Sequence, residues 1–173
     1  MVPDAEVREA SCPHDALWLA WRRGDPGAFE ALYRDLSPGL HTLCRALARG
    51  TPIQADDLFQ EAFRRAIASA DRYRPGGSLA AWLSTIARNA FLDRMRSEAR
   101  KPIPLPVAPA PEGYRDILDT LSSLPEALRE AVALRHLQGL SLEETAEALG
   151  VSLATAKRRI AEGLEKLREM EKA

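Results

Sequence analysis

The chain lacks any run of about 18 apolar residues, so no segment is expected to span a membrane. Its first residues carry no basic stretch followed by an apolar core, so no signal peptide is expected. Cysteine is scarce, with only Cys12 and Cys44 in 173 residues. Two distant cysteines build neither a disulfide framework nor a zinc site, which fits a reducing, cytoplasmic setting. His41 and Cys44 are spaced like half a metal site, but no second half accompanies them, so both read as ordinary buried or surface residues. Alternating strand patterns and internal repeats are missing. No convergent His, Cys, Ser or carboxylate constellation appears, which argues against an enzyme. No catalytic residue, metal or cofactor is assigned.

Charge of one sign is also missing overall, since the formal net charge is −1. The local distribution differs. From Arg64 to Lys101 nine basic residues face three acidic ones, a net of +6 inside a near-neutral chain. A segregated patch of this kind is what phosphate binding needs, although a solvated helix face gives the same count.

What is present reads as helix, with Ala, Leu, Arg and Glu dominant. A short helix is expected over Asp15–Arg23, ending at Gly24. Asp25 caps a second, with Pro26 in its first turn, and Pro38 is expected to restart a helix running to Ala48. After the break at "GTPIQ" come helices over Ala55–Ala70 and, beyond the loop "DRYRPGGS", from the cap Ser78 to Arg100. Trp82 shares a face with Leu79, Leu83 and Ile86 and reads as core. Trp18 and Trp21 read as packing the first helix on its neighbours. The segment "KPIPLPVAPAPEGYRD", residues 101–116, holds five prolines and can be neither helix interior nor central strand. It is expected to be an extended linker, whose sixteen residues at about 3.1 Å each reach roughly 50 Å. Helices are then expected over Asp116–Leu121, Pro125–Leu137, Leu142–Leu149 and Leu153–Met170. The expected fold is all-α: two small helical domains, 1–100 and 117–173, joined by the Pro-rich linker 101–116.

Within the second domain, "LSLEETAEALGVSLATAKRRI" has the form of a helix-turn-helix. Ser141 and Glu144 are spaced as a capping box. Leu142, Ala146 and Leu149 give the first helix a buried face, Gly150 permits the sharp turn, and Ser152 caps the second helix. Leu153, Ala156, Ile160, Leu164 and Leu167 form one apolar stripe. Thr155, Arg158 and Arg159 lie opposite and Lys157 flanks the stripe. A recognition helix needs basic and hydroxyl side chains at its start, where they enter the major groove. An amphipathic surface helix with charge pairs such as Arg158–Glu162 is the plainer reading.

In the first domain, Asp57, Gln60, Glu61 and Arg64 make a polar stripe opposite Leu58, Phe59, Ala62, Phe63 and Ala66. The loop "DRYRPGGS" combines aromatic and basic residues ahead of an Arg-rich helix, a combination that can stack and hold unpaired bases. Taken together, "GDPGAFEALYRDL", "DDLFQEAF", "RPGGSLAAWLSTIARNAFLDRMR", "LPEALREAVALRHLQGLSLEETAEALGVSLATAKRRI" and "LEKLR" resemble, in order and spacing, bacterial RNA polymerase sigma factors of the extracytoplasmic-function (ECF) class.

The resemblance implies that 1–100 is sigma domain two and 117–173 sigma domain four. Asp57, Gln60, Glu61 and Arg64 would dock on the clamp helices of the polymerase β′ subunit, and the β flap would be a second contact on core polymerase. The 71–78 loop would capture a flipped base of the non-template strand. Arg72, Tyr73, Arg74, Ser78, Arg88, Asn89, Arg94 and Arg96 would serve the minus-ten element. Ser152, Thr155, Lys157, Arg158 and Arg159 would read the minus-thirty-five element. Promoter DNA and an anti-sigma factor are the further partners implied, and membrane insertion is not. Ser84 and Thr85 stand where the family often has an aromatic and a basic residue, Leu79 where Phe is frequent, and Ala156 and Gly163 where larger or basic residues are common. The alternative is a helix-turn-helix regulator acting without polymerase.

Overall fold

The computed structural model describes residues 13–100 and 117–171, so the Pro-rich stretch and Cys12 lie outside the described residues. Among the described residues there is no β-sheet. α1 spans Pro13–Arg22, α2 Pro26–Ala48, α3 Ala55–Ala68 and α4 Leu79–Glu98. A single 3-10 turn, Ala70–Arg72, lies between α3 and α4. α5 (Ile117–Ser122), α6 (Glu126–Val132), α7 (Leu142–Leu149) and α8 (Leu153–Glu171) follow.

The caps sit where local chemistry asks for them. The Asp25 carboxylate accepts the Gly27 N–H at 2.9 Å and the Ala28 N–H at 3.4 Å, with Pro26 inside the first turn. The Ser78 hydroxyl accepts the Ala81 N–H at 3.2 Å at the start of α4. α2 departs from expectation: it is one 23-residue helix that runs through Pro38 without restarting. Proline removes the bond to the Arg34 carbonyl, but both residues lie on the exposed face, where water can serve that carbonyl. The Ser37 hydroxyl donates to the Tyr33 carbonyl and the Thr42 hydroxyl to the Pro38 carbonyl, the latter at 2.8 Å. The end of α6 also departs from the simple helix expected. Residues Ala133–Leu137 widen into a π turn, closed by the Gln138 N–H on the Ala133 carbonyl at 3.1 Å.

α1–α4 form one bundle. α2 packs on α1, α3 and α4, and α3 on α4, around Leu40, Leu43, Leu47, Leu58, Leu79 and Phe91. The three tryptophans enter this bundle as expected. Trp18 meets Trp21 with ring centroids 4.9 Å apart and Trp82 with centroids 5.4 Å apart, both edge to face. Cys44 is fully buried, and burial pushes its thiol up to about 12. His41 turns instead to Asp56, Nε2 to Oδ1 at 2.7 Å.

α6, α7 and α8 form the second bundle. α8 lies so close to α6 that a Cβ on Gly163 would stand 2.6 Å from Val132 Cγ2. A glycine costs a helix about 1 kcal/mol relative to alanine. Here that cost permits the close crossing, which explains the small residue at this position.

The two bundles are packed against each other, and buried hydrophobic residues form one continuous cluster across both. α4 meets α7, and α2 meets α5, α6 and the π turn. Polar links hold the seam. Arg88 Nε donates to Glu130 Oε2 at 3.0 Å, Arg129 Nη1 donates to the Arg49 carbonyl at 3.2 Å, and Arg49 is paired with Asp119. The Gln138 side chain lies against Gly39, where an added Cβ would stand 3.0 Å from its Oε1. In this closed arrangement apolar side chains of α2 and α4 are covered by the second bundle.

Candidate nucleic-acid interface

Three surfaces carry the residues singled out in the sequence. The first is α3. Asp57, Gln60 and Arg64 are exposed and Glu61 is half-buried. The stripe is already laced: Glu61 pairs with Arg64 and, at 2.6 Å, with Arg65, while Arg94 approaches Asp57 at 3.9 Å. Beside it lies a feature that periodicity did not reveal. Tyr33, Phe59, Phe63 and Ile67 line an apolar groove together with Gln60 and Arg64, and Tyr33 and Ile67 are 44% and 47% exposed. Phe59 and Phe63 are only partly buried and border this groove. A side chain of α2 completes it, so α3 alone gave no signal.

The second surface is the 71–78 loop with α4. Arg72 and Arg74 point outward and are exposed, while Tyr73 between them points inward at 5% exposure. Tyr73 lies edge to face with Trp18 and tilted against Trp82, centroids 5.4 and 5.3 Å away. Its ring is therefore spent on the bundle and supports the loop from below, rather than offering a face to a base. The Ser78 hydroxyl is likewise committed to its cap. A concave site next to the loop is lined by Arg65, Ala68, Ser69, Arg72, Ile86 and Asn89. Asn89 is exposed. Arg65 and Ser69 join this site because α3 ends against α4, a contact that sequence spacing cannot give.

The remaining basic residues of α4 diverge. Arg96 is exposed and pairs with Asp93 at 3.0 Å. Arg94 is partly exposed and donates weakly to the Asp57 carbonyl. The Arg88 side chain is 17% exposed and held by Glu130, itself 3% exposed. Burial pushes the Glu130 carboxyl above its usual range, with Arg88 pulling the other way. A second cavity spans the seam, with Arg72, Arg74, Ser78, Trp82 and Thr85 on one side and Glu144, Glu147 and Ala148 of α7 on the other. The departures at Ser84 and Thr85 have a local account. Their hydroxyls donate to the Ala80 and Ala81 carbonyls at 2.7 and 3.0 Å; Ser84 is fully buried and Thr85 faces the seam.

The third surface is the helix-turn-helix. The capping box is complete, with the Ser141 N–H on Glu144 Oε2 at 2.7 Å and the Glu144 N–H on Ser141 Oγ at 3.1 Å. Gly150 sits at φ 65°, the left-handed geometry that turns α7 into α8. The Thr155 N–H donates to the Ser152 hydroxyl at 3.2 Å, so the cap occupies both hydroxyl residues at the start of α8. Lys157 and Arg158 are exposed and Arg159 is half-buried. Leu153 is 46% exposed, so the apolar stripe begins one turn later than expected, at the fully buried Ala156. The missing Cβ branches at Ala156 and the absent side chain at Gly163 let α8 settle onto its neighbours.

Cationic loop and helix on one bundle and a capped helix-turn-helix with a basic start on the other define a two-module, all-helical protein of the nucleic-acid-binding class. Comparison with known families carries this further. The model of Sigma-70 region 2 matches residues 32–101 and that of Sigma-70 region 4 matches residues 114–167. The chain is 35% identical to the RNA polymerase sigma factor CarQ of Myxococcus xanthus over 162 residues, covering 87% of this chain and 92% of that one. It is 37% identical to the ECF RNA polymerase sigma factor SigM of Mycobacterium tuberculosis, covering 84% of this chain and 78% of that one. Among solved structures, the sigma factor RpoE in complex with the anti-sigma factor NepR from Bartonella quintana is similar with a TM-score of 0.70 and 29% identity, covering 84% of this chain and 97% of that one. CnrH in complex with the cytosolic domain of CnrY is similar with a TM-score of 0.70 and 25% identity, covering 92% and 97%. The chain belongs to the ECF class of RNA polymerase sigma factors.

Proposed function

We propose that this sigma factor binds core RNA polymerase through α3, directs it to promoters through α8 and the 71–78 loop, and helps hold the minus-ten strand open. The observation that carries this reading is one chain with three separate surfaces of the right chemistry: a polar stripe beside an apolar groove, a cationic loop over a concave site, and a capped helix with an exposed basic start. Asp57, Gln60, Glu61 and Arg64 meet the β′ clamp helices, and domain four meets the β flap. Lys157, Arg158 and Arg159 contact the minus-thirty-five duplex, with phosphate contacts positioning and base contacts specifying. Arg72, Arg74, Arg88, Asn89, Arg94 and Arg96 serve the minus-ten strand, where capturing an extruded base costs a few kcal/mol of unstacking, offset inside a pocket. Domains two and four comprise 1–100 and 117–173, with 101–116 as the tether. Such a protein supplies binding energy to the polymerase's own chemistry, performs none itself, and works in the cytoplasm.

The arrangement of the bundles supports a second element of the mechanism. Arg88 cannot meet DNA while Glu130 holds it, so promoter engagement requires the domains to part. The seam is suited to parting. Arg129 Nε, Glu130 Oε1 and Gln138 Nε2 are buried there and find no hydrogen-bond partner among the described residues. Each such group costs on the order of 1–3 kcal/mol unless water reaches it. An anti-sigma factor would act by holding the same surfaces shut, and the similar sigma factor RpoE was solved in complex with an anti-sigma factor.

Reconstitution tests the proposal. The purified chain is added to core polymerase and transcription is read from a library of promoters. Promoter-selective transcripts that depend on the chain are expected; absence of polymerase binding and of any chain-dependent transcript would reject it, and tight duplex binding by a dimer of the free chain would favour a regulator acting without polymerase.

A further inference from the structure

Asp15 is the most deeply buried acidic residue of the described chain, with no measurable exposure, and nothing in the reading above uses it. It lies in the first turn of α1, where the helix dipole favours a negative charge. A carboxylate is almost never fully buried unless its oxygens are satisfied. Both are, and by the same short loop. Oδ2 accepts the Gly76 N–H at 2.8 Å, and Oδ1 accepts the Tyr73 hydroxyl, which also lies 3.0 Å from the Gly77 carbonyl. α1 grips the loop at a further point, since Arg22 pairs with Asp71.

The consequence for the loop is geometric. Gly76 stands at φ +100°, in a region that L side chains avoid, and its N–H needs an acceptor there. With Tyr73 drawn down onto Asp15 and Trp18, its neighbours Arg72 and Arg74 are turned outward. We propose that Asp15 is a positioning residue for the minus-ten strand: by clamping Tyr73 and Gly76 from below, it fixes the loop in the shape that captures the extruded base. The inference rests on the reading of residues 71–78 as that capturing loop. It concerns a fully buried side chain, and it assigns to the clamp a base preference at the captured position, not affinity for polymerase.

The hydrogen-bond arithmetic gives an unusual test, because asparagine can keep both partners of the carboxylate, giving up the negative charge and leaving one amide hydrogen to place. Its carbonyl oxygen accepts the Gly76 N–H, its amide donates to the Tyr73 oxygen, and the Tyr73 hydroxyl turns to the Gly77 carbonyl. Leucine has similar size but leaves the Gly76 N–H and the Tyr73 hydroxyl without this acceptor. A role in packing alone is met by leucine; a role in holding the loop is met by asparagine only.

The experiment uses holoenzyme reconstituted with wild-type, Asp15→Asn, Asp15→Leu and Tyr73→Phe chains. The probes are promoter fragments taken from the transcription library, pre-melted across the minus-ten element, each carrying 2-aminopurine or a substituted base at one non-template position. Wild type and Asp15→Asn are expected to show the same fluorescence rise and the same base preference at the captured position. Asp15→Leu is expected to lose that preference by about ten-fold, and Tyr73→Phe by several-fold, with affinity for core polymerase and for the minus-thirty-five duplex unchanged. Full preference in Asp15→Leu would overturn the proposal. So would an equal loss of polymerase binding and base preference in both Asp15→Leu and the milder Tyr73→Phe, which would mark Asp15 as a fold residue only. A wild-type holoenzyme with no base preference anywhere in the melted segment would instead reject the capturing-loop reading itself.

Discussion

The two surfaces assigned to promoter DNA differ in how they are held. The loop and α4 rest on an aromatic floor of Trp18, Tyr73 and Trp82, are pinned from below by Asp15, and are partly covered by the other bundle. α8 rests on small residues, Ala156 near its start and Gly163 in its middle, and its first turns present Lys157 and Arg158 without cover. The difference suits the roles proposed for the two surfaces. A helix that reads duplex DNA needs only to be stiff and correctly turned, and a capping box with a left-handed glycine provides that. A loop that takes an unpaired base has to keep a shape with no regular hydrogen bonds of its own, so tertiary anchors supply it. In the closed arrangement Glu130 of α6 and Glu144 and Glu147 of α7 face this cationic surface.

Three substitutions break or sharpen that contrast. The largest effect is expected at the seam. Glu130→Ala leaves the Arg88 charge buried and unpaired, which should disfavour the closed arrangement by about 3 kcal/mol. A distance probe between α4 and α8 in the free chain should report separation, and binding of the free chain to minus-ten single strand should rise. Unchanged distances would mean the seam is held by its apolar contacts alone. A smaller effect is expected where α8 crosses α6. Gly163→Ala should lower the stability of the second bundle by about 1–2 kcal/mol, since the clash with Val132 outweighs the gain in helix propensity. Melting followed by probes in each bundle should show the second bundle shifting while the first holds. A gain in stability would show that Val132 can move aside. The smallest is on the open surface. Lys157→Ala should weaken duplex binding several-fold for all sequences alike and reduce the slope of log affinity against log salt by about one. A sequence-dependent loss would make Lys157 a base contact.

Much of this was legible in the sequence, and the reasons are local. Asp25, Ser78 and Ser141 cap helices because a side-chain oxygen serves a neighbouring N–H, and Gly150 turns the chain because of its own φ. Motif order pointed to the family. What escaped was set by contacts distant along the chain. Pro38 reads as a break, yet α2 continues because the orphaned carbonyl faces water. Leu153 fits the apolar stripe by spacing but lies beyond the end of its partner surface. Tyr73 reads as part of a stacking loop and Asp15 only as the first residue of a short helix, because the bond that joins α1 to the loop spans 58 residues and leaves no periodic trace. The hold of Glu130 on Arg88, 42 residues away, is invisible for the same reason.

The division of labour between the two surfaces is tested most directly by Arg158→Ala and Asn89→Ala, compared in reconstituted holoenzyme on one promoter, with duplex binding and strand opening measured separately. Arg158→Ala should weaken binding to the closed duplex by about ten-fold and leave opening of the bound complex at its wild-type rate. Asn89→Ala should bind the duplex as wild type does and open it more slowly, with the defect removed on a pre-melted template. If both substitutions impaired the same step to the same extent, the chain would not be reading its promoter at two separate points.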